Sequence, residues 1–142
     1  MSMATDIADA VVVELNVGDF SEKFTAQRVT VPRVELDELS ELRVSVIPRS
    51  VKMARISNRL TKYIVQIDIG VQKKIGENEL QDVAALGQLV DEISDFLKDR
   101  TLALLPNIRW ITNKNEPIYS VDHLLQNRVF TSLLSAEYHL IR

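Results

Sequence analysis

RLTKYIVQIDIGVQKK, residues 59–74, decides the fold. Tyr63, Val65, Ile67, Ile69 and Val71 fall on one face of an extended chain, and Gln66, Asp68 and Gln72 fall on the other. That period-two pattern is the mark of a strand with one buried side. Directly after it Gly76 breaks the alternation, and a helical periodicity runs to about Leu105. Strand and helix can then lie one over the other as two layers.

On the N-terminal side, Thr5 or Asp6 is placed to cap a first helix over Asp6–Asn16, with Ile7, Ala8, Val11, Val12 and Leu15 at helical spacing. The triplet Val11–Val13 would also suit a strand, but the spacing favours helix. Gly18 sits where a left-handed exit is expected. Phe24–Val31 reads as a strand ended by Pro32, and Leu36–Leu39 as a connecting segment with a helical turn. Leu42–Ile47 is the next strand, with Leu42, Val44 and Val46 inward, closed by Pro48. From Pro48 to Leu60 periodicity is lost and charge rises, which reads as a long loop of the kind that carries function.

On the C-terminal side, Asn78 and Gln81 form a capping pair for the long helix. Its stripe is Leu80, Val83, Leu86, Leu89, Val90, Ile93, Phe96, Leu97 and Leu104, and its limit is Pro106. Gly87 inside it reads as a close approach to the sheet. Asn107–Thr112 is a short strand, Asn113–Glu116 a turn, Ser120 the cap of a helical turn over Val121–Leu125, and Arg128–Ile141 a final strand. The expected architecture is a single α+β domain over residues 1–142, with a mainly antiparallel sheet packed by an N-terminal helix and one long central helix, in the order α-β-β-β-α-β-β.

Composition narrows the function. No apolar run approaches the roughly 20 residues needed to cross a bilayer, and the short patch Ala10–Val13 lacks the basic flank of a secretory signal. The chain has no cysteine, which removes disulfides, thiolate catalysis and cysteine metal sites and fits folding in a reducing cytoplasm. A net charge of −3 argues against general nucleic-acid affinity. Four glycines without phosphate-loop spacing leave no nucleotide cradle. His123 and His139 have no third ligand at metal spacing, and exposed histidines account for both. Ser120, Asp122 and His123 are too close together for a catalytic triad. The pairs Asp91 with Glu92 and Asp95 with Asp99 read as the solvated side of the long helix. No catalytic residue, cofactor or metal site is expected.

Two features remain. Trp110, Tyr119 and the dipeptide Pro117-Ile118 gather near the second loop region, either plugging one end of the core or presenting an aromatic anchor to a partner. Charge is also segregated. Between Leu42 and Ile67 there are six cations, Arg43, Arg49, Lys52, Arg55, Arg59 and Lys62, and no acid. Between Gly76 and Asp99 seven acids oppose Lys98 alone. Three readings fit: two solvated surfaces, internal pairing of the basic segment with the acidic helix, or pairing between copies. In the last, Arg49, Lys52, Arg55 and Arg59 of one subunit meet Asp91, Asp95 and Asp99 of the next, a head-to-tail contact that gives a ring when the rotation closes.

The element order, with LNVGDFSEKFTAQRV near the start, IDIGVQKK in the middle and EPIYSVDHLLQNRVFTSLLSAEYHLIR at the end, resembles the tail terminator and head–tail joining (neck) proteins of tailed phages and prophages. The resemblance implies an α+β fold and a homo-oligomeric ring, often a hexamer, in the virion tail or neck after assembly in the host cytoplasm. Its implied partners are copies of itself, the tail tube protein and the connector or neck proteins, with neither specific nucleic-acid binding nor a membrane. It also implies that the loop from Pro48 to Leu60 extends toward a neighbouring subunit or the tube. Two rivals stand beside it: an adaptor module that holds an acidic protein through the basic 43–62 segment, and a small α+β enzyme with a site assembled from scattered polar residues.

Overall fold

Ile7, Ala8, Ala10, Val11 and Leu15 line the buried side of helix α1 (Met3–Val17). The computed structural model describes residues 2–30 and 40–142. The expected turn at Leu36–Leu39 and the strand end at Val31 and Pro32 lie outside the described residues. The helix cap is Ser2, whose hydroxyl accepts from the Thr5 amide at 3.2 Å, three residues ahead of the expected start. Gly18 leaves the helix in extended rather than left-handed backbone, at φ −72°. What it supplies is room, because a Cβ there would stand 2.5 Å from the Phe20 ring. That ring stacks on Phe24 at 5.2 Å and meets Phe96 edge-on at 5.1 Å.

Strands β1 (Ala26–Arg28), β2 (Arg43–Arg55) and β3 (Thr61–Lys74) follow, then helix α2 (Glu79–Leu97), β4 (Arg109–Asn115), helix α3 (Val121–Asn127) and β5 (Val129–Ile141). The fold is α+β, with a five-stranded mixed sheet in the order β1-β2-β3-β5-β4 and three helices among the described residues. Only β1 runs parallel to its neighbour; the other three pairings are antiparallel. β3 is therefore the centre of the sheet. Val65, Ile67, Ile69 and Val71 are buried with Leu134, Ala136 and Tyr138 of β5, under α1 and α2.

Pro48 does not close the strand as expected. The Val46 carbonyl accepts from the amide of Val29, the residue after β1, at 3.0 Å, so two residues on the Pro48 nitrogen points to the same outer side, where β1 has ended and no ladder donor is needed. A bulge between Pro48 and Ser50 absorbs the irregularity, and β2 continues to Arg55. The expected long loop is the outer half of a β-hairpin.

Helix α2 stops at Leu97 rather than near Leu105, because Asp99 turns the chain at φ 55° and Arg100 is drawn onto α1. The Glu14 carboxylate, buried in α1, accepts from Arg100 Nε at 2.6 Å and from the Ala103 amide at 3.2 Å. Leu80 and Leu104, expected in the apolar stripe, are exposed as a result of lying at or beyond the ends of the covered helix. Gly87 makes no close approach: a Cβ there would meet nothing within 4 Å. Asn113 and Asn115, expected in a turn, belong to β4, and the Asn113 amide donates to the Ser94 carbonyl of α2 at 2.9 Å. The helical turn after Ser120 is a full short helix ending at Arg128 in left-handed backbone.

Candidate functional site

A sheet buries a face only as far as a second layer covers it. On the helix side, burial is complete at Val65 and Tyr138. Farther out, Tyr63 and Leu140 are half-buried, Val51 is 47% exposed and Met53 66%. The sheet runs past its helices as a single layer, with β2 and β3 paired to Arg55↔Thr61 and β5 paired to β3 as far as Lys62↔Ile141. Thr61 and Arg142 exchange backbone hydrogen bonds of 2.9 and 3.0 Å, which ties the end of β5 to β3 beside the outer end of this arm. The tip is a tight turn. The Ile56 amide donates to the Leu60 carbonyl at 3.0 Å, the Ser57 hydroxyl accepts from the Leu60 amide at 3.2 Å, and the Ile56 and Leu60 side chains stand in solvent.

All four expected cations lie on this arm. Arg49 sits at the bulge, 3.6 Å from Asp68 of β3, an ion pair at the long end of the range. Lys52, Arg55 and Arg59 are exposed and make no ion pair among the described residues. Asp91 and Asp95 are exposed on α2, and Asp99 just beyond it, equally without an ion pair among the described residues. Among the described residues, no ion pair joins Lys52, Arg55 or Arg59 to the acidic helix. The next acid on α2 is already used: Glu92 accepts from the Ser21 amide at 2.7 Å, and this bond holds its carboxyl below the usual range.

Trp110 and Tyr119 do not gather. Trp110 pairs with Tyr138 and its indole N–H donates to Asn113 at 2.8 Å, so it is a half-buried part of the core. Tyr119 lies 6.3 Å from Phe130, eight residues back along β5 and about 27 Å away at strand rise. Neither histidine is a plain surface residue: His123 Nδ1 is 2.8 Å from the Thr131 hydroxyl, and His139 Nε2 is 2.9 Å from Glu137. An open cleft of about 800 Å³ between residues 22–27 and 40–43, lined by Glu22, Lys23, Glu41, Arg43 and Lys73, contains neither of them. No group of three or more metal-ligating side chains occurs among the described residues, and no helix is long and apolar enough to cross a membrane.

Sequence reasoning missed the apolar half of the arm. The signal was present, because Val44 and Val46 resume as Val51 and Met53 once the alternation is shifted by one residue at the bulge. Of a second exposed apolar set, the sequence reading names Ile118, 63% exposed, and Tyr119 as candidates to face a partner, but not Val121 or Leu125, 57% and 73% exposed. Val121 and Leu125 are four apart on α3 and share a face.

No model of a known protein family matches the chain, and no curated protein matches it.

Proposed function

We propose that this protein is a non-enzymatic structural subunit of a tailed-phage or prophage particle, of the tail terminator or head–tail joining kind, and that it works as a homo-oligomeric ring. The observation that carries the reading is the uncovered arm. A single-layer sheet exposing Val51, Met53, Ile56 and Leu60 leaves apolar surface in water that a second layer would bury. Lys52, Arg55 and Arg59 on the arm, and Asp91 and Asp95 on α2, make no ion pair among the described residues. A neighbouring copy supplies both missing halves. The sequence resemblance points to the same kind of assembly.

In this reading the mechanism is geometric. One face of the ring matches the last ring of the tail tube, and the other offers no surface for a further tube subunit, so polymerisation stops and the connector has a place to join. The acidic net charge suits a ring through which nucleic acid passes without being held. The test is native mass at micromolar protein. A multimer is expected at about 0.1 M salt, loosening as the screening length falls from about 10 Å to about 3 Å near 1 M. A species that stays single at low salt overturns the reading and favours the adaptor.

A further inference from the structure

We infer that the arm of one copy docks on the α3 end of the next, an apolar contact with an ionic rim; this rests on the ring reading and names its interface. β5 fixes the geometry. Its first residue, Val129, adjoins α3 and its last, Ile141, pairs beside the arm. Thirteen residues of strand therefore hold the two surfaces about 40 Å apart at opposite ends of the molecule. No copy can satisfy its own arm with its own α3.

Three comparisons choose the occupant. Arm against arm would set Lys52, Arg55, Arg59 and Lys62 against the same cations, so a symmetric contact is repelled. The outer side of α2 offers acids, but between Leu80 and Leu97 it exposes no large apolar side chain to cover Val51 and Met53. The α3 end offers both. Ile118, Val121 and Leu125 are apolar and exposed, and Glu77, Asp82 and Asp122 make no ion pair among the described residues, against Lys74. The other nearby cations are occupied, Arg128 by Glu79 and Lys114 by Glu116. The acceptor for the basic arm is therefore the end of the molecule at the start of α2, not the Asp91–Asp99 flank.

A complementation experiment tests this. One variant carries Val51→Asp and Met53→Asp, the other Val121→Asp and Leu125→Asp. All four side chains are exposed, and circular dichroism checks that each variant folds. Each alone is expected to lose assembly. Mixed in equal amounts they should form a heterodimer of twice the protomer mass and nothing larger, because only one intact arm and one intact α3 end remain. If acids unfold the arm, Val51→Thr with Met53→Thr replaces that variant and should weaken assembly at least tenfold. Wild type that assembles while the mixture yields no heterodimer, or a Val121→Asp/Leu125→Asp variant that assembles like wild type, overturns the inference and leaves the ring reading standing. A wild type that never assembles overturns the ring reading itself. Reversing Asp91 and Asp95 to Lys should leave assembly within threefold of wild type; its loss would move the contact back to α2.

Discussion

Reversing Arg55 and Arg59 to Glu should separate assembly from folding. Both side chains are exposed and neither makes an ion pair among the described residues, so the monomer has little to lose. The turn at the arm tip is held by backbone groups and the Ser57 hydroxyl, which the substitutions leave in place. Thermal stability should stay within about 0.5 kcal/mol of wild type, as for surface changes away from special features. The contact between copies should suffer more. An exposed pair contributes about 0.2–1 kcal/mol, and reversal both removes the attraction and adds a repulsion of similar size. Two reversals then cost about 2 kcal/mol per contact, roughly 30-fold in the dissociation constant. Sedimentation across a protein dilution series at two salt concentrations measures this. The gap between variant and wild type should narrow near 1 M salt, where exposed charges are screened beyond about 3 Å. Unchanged assembly of a folded variant at low salt, or a gap that persists at high salt, would refute the electrostatic part of the contact.

Other changes probe the fold. Gly87→Ala should raise stability by about 1 kcal/mol in chemical denaturation, since the helix interior there has room for a methyl group. Tyr138→Phe should also stabilise, by about 1 kcal/mol and about 2–4 °C in melting temperature: the buried hydroxyl has no hydrogen-bond partner among the described residues, and burial together with the nearby Glu14 charge pushes its ionisation up. Glu92→Gln should lower stability at neutral pH by loosening the Ser21 link. Because the folded-state pKa of Glu92 is depressed, its contribution is present above the unfolded glutamate range and lost as pH falls through the folded value. The difference between Glu92→Gln and wild type should therefore shrink on acidification, and a constant difference down to low pH would reject the charge-based account.

The central strand, the final strand and both long helices were legible because each carries a sustained hydrophobic period, as in Val65, Ile67, Ile69 and Val71. Errors came where a local signal was overruled from a distance. Pro48 is a strand breaker by itself, but its ring stands on a side where no ladder bond was required. Leu102 and Leu105 keep a helical rhythm after α2 has ended, because Glu14, far away in sequence, holds Arg100 and Ala103 in turns. The strand expected over Phe24–Val31 is present but shorter, with β1 covering Ala26–Arg28, and its parallel direction is set by pairing with Val44–Val46. At the candidate site the cations could be read directly as a run, whereas their apolar companions were hidden by the one-residue shift at the bulge. That α3 lies at the far end from the arm follows only from the length of β5.

Asn16, near the end of α1, donates its side-chain amide to the Ala26 carbonyl at 3.2 Å and accepts the Ala26 amide at 2.7 Å. Both groups of Ala26 face away from β2, so one carboxamide takes the place that a sixth strand would need. A stray chain reaching the sheet at this border finds it already stoppered at Ala26. On the proposed ring reading, in which the arm of each copy binds a neighbour, this stopper keeps the opposite border of the sheet out of the assembly.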